Sequence, residues 1–537
     1  MQNFDYIIIG AGAAGCVLAN RLSANPDNSV CLIEAGGSDR SPWVKIPAGV
    51  FGLYGNKKYD YAYTGLAQQQ LNGRQITVNR GKCLGGSSSI NGMVYIRGNP
   101  NDYDNWEKQG CKGWSYAELL PLFKSLERNL IDQEPEFHGF DGELSIVEPQ
   151  DPNPLSQIFV GAGAEAGLPQ NNDFNAESQF GLGIYNLCQY KGVRVSSFSA
   201  FVDPIRHRSN LTILKNTEVV SLQIEEKQVT GVFIQRQGQA DRLDCNREVL
   251  LSAGAIDSPR ILLASGIGDR QELEQLGIVC RQHLPGVGKN LQDHVDCMVT
   301  VRSRQAVSIG LSLAALPDII ASPLRYLFKR MGWWTTNYTE AGGFARTVFA
   351  EAAAAGSRDA DPDIQFHFTP IFRSHRGKKF EFGHGYSLFT CVLRPHSRGS
   401  VKLANDGSHR NVIIDHQLLA DERDQKLLIE ALKKARQVLA SAVFDKFRGE
   451  EMAPGPDVQS DEDILAYLRN SALTVYHPVG TCKMGVDEMA VLDPDSLRVK
   501  GLNNLRVADA SIMPDVISGN TSAASMMIGA KAAQLIG

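Results

Sequence analysis

The chain begins with a hydrophobic strand, a glycine-rich turn and a helix, in the order that dinucleotide-binding folds require. The run Tyr6–Ile9 is apolar throughout, which is typical of a strand buried on both faces. Gly10, Gly12 and Gly15 follow it. The first permits a tight turn, the second lets a pyrophosphate approach the backbone, and the third lets the helix pack closely on the strand. Residues Cys16–Leu22 then have helical periodicity, so a pyrophosphate is expected at this helix N-terminus.

A second predicted strand, Ser29–Ile33, ends at an acidic residue. Glu34 lies about twenty residues beyond the glycine turn, where a carboxylate accepts hydrogen bonds from both ribose hydroxyls of an adenosine. A carboxylate there disfavours the 2′-phosphate of NADP. It does not distinguish NAD from FAD, because both cofactors carry the same adenosine half.

Length and composition exclude several classes of protein. A chain of 537 residues with 43% hydrophobic residues is expected to form more than one domain. The net charge of −5 and the lack of a basic block argue against a nucleic-acid partner. The ten cysteines show neither a CxxC pair nor metal-ligand spacing, so we expect free thiols and no metal site. The N-terminus lacks a basic n-region, and no apolar run approaches the ~20 residues of a membrane span, so a cytoplasmic protein is expected.

The stretch Arg80–Gly98 packs glycines, small hydroxyls and one amide into a short segment. It is too irregular for a helix and too rich in glycine for a central strand. Exposed N–H groups beside Ser87, Ser88 and Ser89 would suit an anion or the polar edge of a heterocycle. Taken alone, the same composition also fits an ordinary surface loop.

The middle of the chain contains segments that we expect to add strands to the first sheet. Four runs are expected to be strands: Leu211–Leu214, Val219–Ile224, Gly231–Ile234 and Glu248–Ser252. A helix is expected within Gly254–Gly268. Pro259 suits its first turn, where a missing N–H costs nothing, and Gly266 is expected to end it.

Residues from about 300 to 450 differ in character, because β-branched and aromatic residues predict antiparallel strands. The expected strands are Asp363–Thr369, Tyr386–Leu393, Ser400–Leu403 and Asn411–Ile414. Asp421–Ala442 has helical spacing, and the whole region predicts a cap domain with a pocket beneath it. The apolar segment Leu311–Trp334 carries scattered basic residues and two prolines. It could be core, line the substrate entrance or rest on a membrane surface.

The C-terminal part offers residues with proton-transfer chemistry. His477 lies in a loop rich in glycine and proline, and a histidine with a pKa near 6.5 accepts protons at neutral pH. Asp509 follows a predicted strand, where it can meet a cofactor at the carboxyl edge of the sheet. Asn520 precedes a predicted helix, a position that equally suits an ordinary N-cap.

With both ends in view, the sequence resembles the glucose–methanol–choline (GMC) family of FAD-dependent oxidoreductases over essentially its whole length. The resemblance rests on the motif Gly10–Gly15 with Glu34, on Arg80–Gly98, on Gly254–Gly268, on the His477-Pro478 loop and on the tail Asp509–Asn520. It is greatest to bacterial choline dehydrogenases and to FAD-dependent dehydrogenases of aliphatic alcohols.

The resemblance implies an α/β fold with an α+β cap: a Rossmann-like FAD-binding domain and a second, antiparallel-sheet substrate domain. The expected FAD domain is discontinuous and comprises residues 1–155, 190–300 and 455–537. The expected cap comprises residues 156–189 and 301–454.

The resemblance also assigns site residues. His477 and Asn520 are expected to be catalytic, facing the flavin. The residues expected to bind FAD are Gly10, Gly12, Ala13, Ala14, Gly15, Glu34, Ala35, Gly85, Gly86, Ser87, Asn91, Gly92, Met93, Val94, Val219, Asp509, Ala510 and Thr521. Those expected near the substrate are Trp334, Tyr338, Glu340 and Tyr476. Trp333, Trp334, Tyr338 and Glu340 could form an aromatic and acidic mouth suited to a quaternary ammonium. The same segment could instead admit an aliphatic primary alcohol, or it could be plain core.

Two positions depart from family patterns. Ile90 stands where some relatives have a histidine bonded to the flavin, so FAD is expected to be held non-covalently. Ser522–Ser525 replaces the usual Asn-Ala-Pro-Thr, which should alter the turn that places Asn520.

The expected reaction is oxidation of a primary alcohol to its aldehyde by hydride transfer to flavin N5, with His477 as general base. The expected electron acceptor is a quinone or other carrier. Alternatives are an oxidase that uses O₂ and a non-redox flavoprotein, either a lyase or a photodecarboxylase. A NAD-linked enzyme is a weaker rival, because it leaves the His477 loop unexplained. Neither the oligomeric state nor peripheral membrane contact is fixed by the sequence.

Overall fold

The computed structural model describes residues 2–353, 361–375, 379–408 and 410–537. The strands in the N-terminal half are β1 Gln2–Ile9, β2 Val30–Ile33, β3 Tyr63–Gln68, β4 Arg74–Val78, β5 Glu127–Asn129, β6 Leu144–Ile146, β7 Gly181–Ile184, β8 Gln189–Tyr190, β9 Val193–Arg194, β10 Leu211–Leu214, β11 Thr217–Glu225, β12 Gln228–Arg236 and β13 Gln239–Leu251. Those that follow are β14 Ile267–Gly268, β15 Gln282–His283, β16 Val295–Ser303, β17 Ala341–Ala345, β18 Ile364–Thr369, β19 Arg373–His375, β20 Lys379–Phe380, β21 Gly385–Val392, β22 Ser400–Leu403, β23 Val412–Asp415, β24 Arg448–Ala453, β25 Leu473–Thr474 and β26 Leu505–Val507.

The α-helices are α1 Ala13–Leu22, α2 Pro42–Lys45, α3 Pro100–Lys108, α4 Tyr116–Leu126, α5 Pro154–Gly161, α6 Gly254–Ala264, α7 Arg270–Gln275, α8 Leu316–Lys329, α9 Val348–Ala353, α10 Glu422–Leu439, α11 Asp461–Ser471 and α12 Ser522–Ile536. Short 3₁₀ turns at Gly86–Ser89 and Ala510–Ile512 lie beside the site described below.

The first large sheet combines parallel and antiparallel strands. Strands β10, β2, β1, β13 and β26 run parallel in that order, with Ile7 opposite Cys31 on one side and Val249 on the other. The N-terminal half of β13 continues into an antiparallel ribbon with β12 and β11. Helices α1 and α12 pack against each other beside this sheet. The expected Rossmann-like arrangement and the expected strands are therefore confirmed.

The second large sheet is antiparallel, with strand order β24, β16, β21, β18, β17 and β7, and with β25 on β16. Residues alternate between its two faces. Cys297, Val299 and Phe368 belong to a core that includes α10, whereas Met298 and His367 line a cavity. This period of two is what a strand requires when one face packs on helices and the other borders a pocket.

The structure differs from the predictions at three places. Strands β22 and β23 form a separate ribbon and do not extend the second sheet. The second sheet also includes β16, which begins at Val295, and β25 at Leu473–Thr474. Strand β16 begins before the predicted cap range 301–454 and β25 lies beyond it, so the division into domains at those boundaries remains a prediction.

The third difference concerns Pro259, which lies inside α6 and not in its first turn. A proline there removes the N–H that would bond to the carbonyl of Ala255. The Thr481 hydroxyl donates to that carbonyl instead, at 2.6 Å. The helix therefore continues through the proline and ends before Gly266, which has a φ of +79°. None of the helices among the described residues is long and apolar enough to cross a membrane.

Candidate active site

A cavity of about 1610 Å³ lies between the two sheets. One side is formed where the parallel strands end, near Ile9, Ile33, Ser252 and Asp509. Ligands of open α/β sheets bind at this carboxyl edge. The opposite side is the cavity face of the antiparallel sheet. The residues of that face which line the cavity are Asp296, Met298, His367, Thr369, Ser387 and Phe389.

The glycine turn after β1 brings the start of α1 to the cavity. Gly10 has a φ of +102°, which favours glycine. A Cβ on Gly15 would lie 1.9 Å from the Gly10 carbonyl oxygen, so only glycine fits there. Gly12, Ala13 and Ala14 line the cavity, whereas Gly15 supports the turn from behind. The free N–H groups of the first helical turn therefore border the cavity, as an anion site requires.

Glu34 lies at the end of β2 and lines the cavity with Ala35. Its buried carboxylate accepts hydrogen bonds from the backbone N–H of Ala11, at 3.1 Å, and of Gly36, at 2.8 Å. Burial raises the pKa of Glu34 to about 7, and the two amide hydrogen bonds oppose that shift. The carboxyl group is thus fixed in a position where it can accept further hydrogen bonds from a ligand.

The Arg80–Gly98 stretch folds over the glycine turn. A Cβ on Gly86, whose φ is +53°, would lie 2.9 Å from Cα of Gly12, so the two glycine motifs meet at their backbones. Gly85 has a φ of +91° and supports the 3₁₀ turn without lining the cavity. Ser87 lines the cavity, and its Oγ accepts the N–H of Gly81 at 3.1 Å.

Residues 91–94 continue along the cavity wall in a fixed conformation. The Asn91 side-chain oxygen accepts the N–H of Met93 at 3.1 Å and an Arg194 N–H at 2.9 Å. Met93 has a φ of +62°, and the amide of Asn337 donates to the Gly92 carbonyl at 2.7 Å. Asn91, Gly92, Met93 and Val94 all line the cavity.

Asp509 ties the end of β26 to the start of α6. Its carboxylate accepts the N–H of Gly254 at 2.8 Å, the hydroxyl of Ser258 at 2.5 Å and the N–H of Ser511 at 2.7 Å. Burial raises its pKa, and these three hydrogen bonds oppose the shift. Val219, Asp509, Ala510 and Thr521 line the same cavity.

His477 and Asn520 meet at the cavity surface. The Asn520 amide nitrogen lies 3.2 Å from His477 Nε2, and both residues line the cavity. The Asn520 oxygen accepts an N–H from the Gln365 side chain at 3.1 Å. Gln365 therefore orients the amide so that its NH₂ group faces the imidazole. The side chain of Asn520 does not cap α12, whose N-cap residue is Thr521.

A second histidine determines which ring nitrogen of His477 is unprotonated. His294 Nε2 lies 3.0 Å from the Leu393 carbonyl, to which it can only donate. Burial lowers the pKa of His294 to about 4, so the ring is neutral and its Nδ1 is an acceptor. His477 Nδ1, 2.9 Å away, must then carry the proton. The lone pair of His477 Nε2 is consequently the one that faces Asn520 and the cavity.

The backbone around His477 is held by a buried acid. Asp293 accepts the His477 N–H at 2.8 Å and the Thr474 hydroxyl. Burial raises its pKa to about 7. Arg80 donates to the Tyr476 carbonyl at 2.6 Å, and Tyr476, with a φ of +67°, lines the cavity.

The predicted aromatic and acidic mouth differs from the structure at two residues. The buried Glu340 carboxylate accepts hydrogen bonds from the Asn153 N–H at 2.7 Å and from the hydroxyls of Ser156 and Thr336, and it does not line the cavity. Trp334 packs against Tyr326 instead, with ring centroids 5.8 Å apart. The Glu340 carboxylate therefore bonds to residues within the fold and does not face the cavity.

Of the predicted substrate residues, Tyr338 and Tyr476 line the cavity. The Tyr338 hydroxyl donates to the Ala48 carbonyl at 3.0 Å. The carboxylate on the sheet side of the cavity is Asp296, which was not predicted.

Three further residues at the site, Asp293, His294 and Gln365, were also not predicted. Two signals could have indicated them. Three polar residues, Gln292–His294, directly precede the apolar strand β16. In β18 the polar residues recur at every second position, which marks one face of a buried strand as polar.

The chain is similar to known proteins over its whole length. The family model described as GMC oxidoreductase matches residues 4–296, and a second model with that description matches residues 395–529. An alcohol dehydrogenase (acceptor) of Pseudomonas putida is 42% identical, over 99% of this chain and 95% of the relative. An oxygen-dependent choline dehydrogenase of Staphylococcus saprophyticus is 39% identical, over 100% and 95%. A formate oxidase variant of Aspergillus oryzae RIB40, studied for FAD modification, is 26% identical with a TM-score of 0.91, covering 100% and 98% of the two chains.

Proposed function

The chain belongs to the GMC oxidoreductase family and is an FAD-dependent enzyme of alcohol oxidation, and from that premise we propose its reaction in detail. The substrate is a primary alcohol, the product is the aldehyde, and His477 Nε2 accepts the hydroxyl proton. The single observation that carries the proposal is the contact of His477 Nδ1 with His294, from which we infer an unprotonated Nε2 beside the Asn520 amide.

The residues around the cavity fit FAD. The cavity volume of about 1610 Å³ exceeds the roughly 300–1,000 Å³ of ordinary small-molecule pockets, which leaves room for a dinucleotide and a substrate. Gly12 and Gly92 each leave open space where a side chain would otherwise stand. We propose that the first turn of α1 and Ser87 hold the pyrophosphate, that Glu34 holds the ribose, and that residues 91–94 and Asp509 lie toward the ring.

Proton transfer follows from the arrangement of His477 and Asn520. The chemistry that FAD would supply when bound is acceptance of the hydride from the alcohol carbon. The hydroxyl proton passes to His477 Nε2, and the C–O bond of the substrate becomes the carbonyl. As negative charge grows on the substrate oxygen, the imidazolium of His477 and the NH₂ group of Asn520 stabilise it. A positioned base of this kind typically contributes about 10² to 10⁴ in rate.

The environment of His477 keeps it in the form that accepts a proton. Burial, followed by the nearby His294, lowers the pKa of His477 well below its ordinary value. The imidazole is therefore neutral before the alcohol binds. Asp293 holds the backbone N–H of His477, so the ring keeps its place while its charge changes.

We propose that FAD is bound without a covalent link. Ile90 lines the cavity with a hydrocarbon side chain, which offers no nucleophile to the flavin. Denaturing the protein in acid should release the yellow flavin into the supernatant. Flavin that stays with the precipitated protein would contradict this part of the proposal.

We propose a quinone or another carrier as the electron acceptor, following the name of the 42% identical relative, an alcohol dehydrogenase (acceptor). The alternative is an oxidase that passes its electrons to O₂. Mixing the reduced enzyme with a soluble quinone analogue and, separately, with O₂ distinguishes the two. Faster reoxidation by O₂ than by the quinone would favour the oxidase.

The main experiment is anaerobic reduction of the bound flavin. Choline, medium-chain alcohols, polyols and aryl alcohols are each mixed with the holoenzyme, and bleaching of the flavin absorbance is followed. A primary alcohol should bleach the wild type, and His477→Ala should lose about 10² to 10⁴ of that rate while retaining flavin. The exposed His207 provides the control variant His207→Ala. No bleaching by any alcohol would favour the non-redox lyase or photodecarboxylase.

A further inference from the structure

A strip of exposed apolar side chains covers α8 and the segments that flank it. Of the 23 large apolar side chains exposed in the described part of the chain, nine fall between residues 311 and 331, so this surface is unlike the rest of the molecule. They are Leu311, Leu313, Leu316, Ile319, Ile320, Leu324, Leu327, Phe328 and Met331. Phe382, also exposed, pairs with Leu311 through a β-bridge. These ten residues are called the α8 patch below.

The patch has the pattern of an amphipathic helix turned outward. Its apolar residues recur three and four positions apart along α8, so they share one face of the helix. The buried face of α8 is a different one, carried by Ser322 and Tyr326. Phe328 is 83% exposed, Leu313 78% and Ile320 67%, so the apolar face has no cover within the described chain.

The charges of the segment are positive at its C-terminal end. Asp318 and Arg325 form an ion pair of 2.7 Å. Lys329 and Arg330 follow in the last turn and at the C-cap, and the Arg330 guanidinium lies 4.6 Å from the Tyr326 ring. Two cations therefore remain beside the apolar face. Their long side chains can extend past that face toward anionic groups.

Both ends of the patch connect to the cavity wall. Before it, Ile309 pairs with Ile371, which lines the cavity. After it, the chain passes through Gly332 and Thr335 to Tyr338, which also lines the cavity. The exposed apolar surface is thus joined at both ends to segments that contact or line the cavity wall.

We propose that the α8 patch docks on the surface of an anionic lipid bilayer. An outward amphipathic helix with basic residues lies in the membrane interface, with its apolar face in the acyl boundary and its cations at the headgroups. A second copy of the chain is the other occupant to consider, and the test below distinguishes it from a bilayer. Docking would place the cavity wall beside the bilayer, where apolar alcohols and quinones dissolve. This inference goes beyond the proposed reaction and stands without it.

The test is co-sedimentation of the holoenzyme with vesicles. Vesicles of equimolar phosphatidylcholine and phosphatidylglycerol should carry the wild type into the pellet, and vesicles of phosphatidylcholine alone should carry less. The double variant Ile320→Glu/Phe328→Glu should bind the anionic vesicles at least about tenfold more weakly. The matched control is Val279→Glu/Val486→Glu, which adds the same charge at two apolar residues that are 75% and 69% exposed elsewhere.

Three results would overturn the proposal. The wild type could remain in the supernatant with anionic vesicles. The patch variant and the control variant could lose binding equally, which would show an effect of net charge alone. Analytical ultracentrifugation could show a wild-type dimer that the patch variant dissociates, with no vesicle binding by either, and the patch would then be an interface between copies. Flavin content and thermal stability equal to wild type show that both variants are folded.

Discussion

Nδ1 of His477 lies 2.9 Å from Nδ1 of His294, and the planes of the two imidazole rings are perpendicular. Two nitrogens at this distance share a single proton, so one ring donates and the other accepts. Nδ1 of His294 is the acceptor, because Nε2 of the same neutral ring donates to the Leu393 carbonyl. The pair therefore fixes both the tautomer and the ring orientation of His477, as the partner of a functional histidine usually does.

Removing the acceptor from His294 should slow proton transfer without removing the base. We expect His294→Phe to reduce the rate of anaerobic flavin reduction by about 10- to 100-fold, the scale of the loss when the partner that orients a metal-bound histidine is removed. His294→Asn retains an acceptor and should keep more of the rate. Stopped-flow absorbance measures both. Equal losses in the two variants, with normal flavin content, would show that His294 acts only through packing.

Gln365 should act on the reaction only through Asn520. Its amide donates to the Asn520 oxygen and to the Tyr185 hydroxyl, so Gln365→Leu frees the Asn520 amide to rotate. We expect a slower flavin reduction in Gln365→Leu and in Asn520→Ala. The double variant should be no slower than Asn520→Ala, because residues that work as a unit are not additive. Rate losses that multiply in the double variant would assign Gln365 a separate role.

The pH dependence of flavin reduction should reflect the lowered pKa of His477. The base works only when neutral, so the rate falls as the pH drops through its pKa. Burial and His294 lower that pKa below the ordinary value of about 6.5. At alcohol concentrations far below saturation, where the rate reports on the enzyme without alcohol, the acid limb should therefore lie below pH ~6.5. An acid limb centred above pH ~7 would contradict a buried, neutral His477.

The nucleotide side of the site could be predicted because its determinants are close together in the sequence. Gly10, Gly12, Gly15 and Glu34 specify a strand, a turn, a helix and a second strand by local geometry alone. The contact between Gly12 and Gly86 joins two such local motifs, each of which was recognisable separately.

The reactive side could be predicted only in part. His477 and His294 are 183 positions apart, and no periodicity in either segment indicates that they meet. Glu340 is a second example. Its segment allowed either an acidic substrate mouth or plain core, and hydrogen-bond donors from the distant Asn153 and Ser156 hold the carboxylate within the fold. Such tertiary partners are set by the packing of distant elements, which the sequence pattern does not reveal.

A methyl group on Gly12 should weaken FAD binding without disturbing the protein. Gly12 has a φ of −83°, which alanine adopts freely, and its Cβ would lie 4.0 Å from the nearest protein atom outside its immediate neighbours. The methyl would instead occupy the space at the start of α1 that the pyrophosphate needs. We expect Gly12→Ala to bind FAD at least about tenfold more weakly, a loss of ~1.4 kcal/mol, and to show a smaller rise in melting temperature on adding FAD.

Titrating the apoprotein with FAD, followed by flavin fluorescence, measures the affinity, and thermal unfolding of the apoprotein checks the fold. Gly161→Ala is the matched control, because a Cβ there also meets open space but lies away from the cavity. It should bind FAD like the wild type. Wild-type affinity in Gly12→Ala would place the pyrophosphate elsewhere, since a methyl in its path must either displace the cofactor or move the helix that holds it.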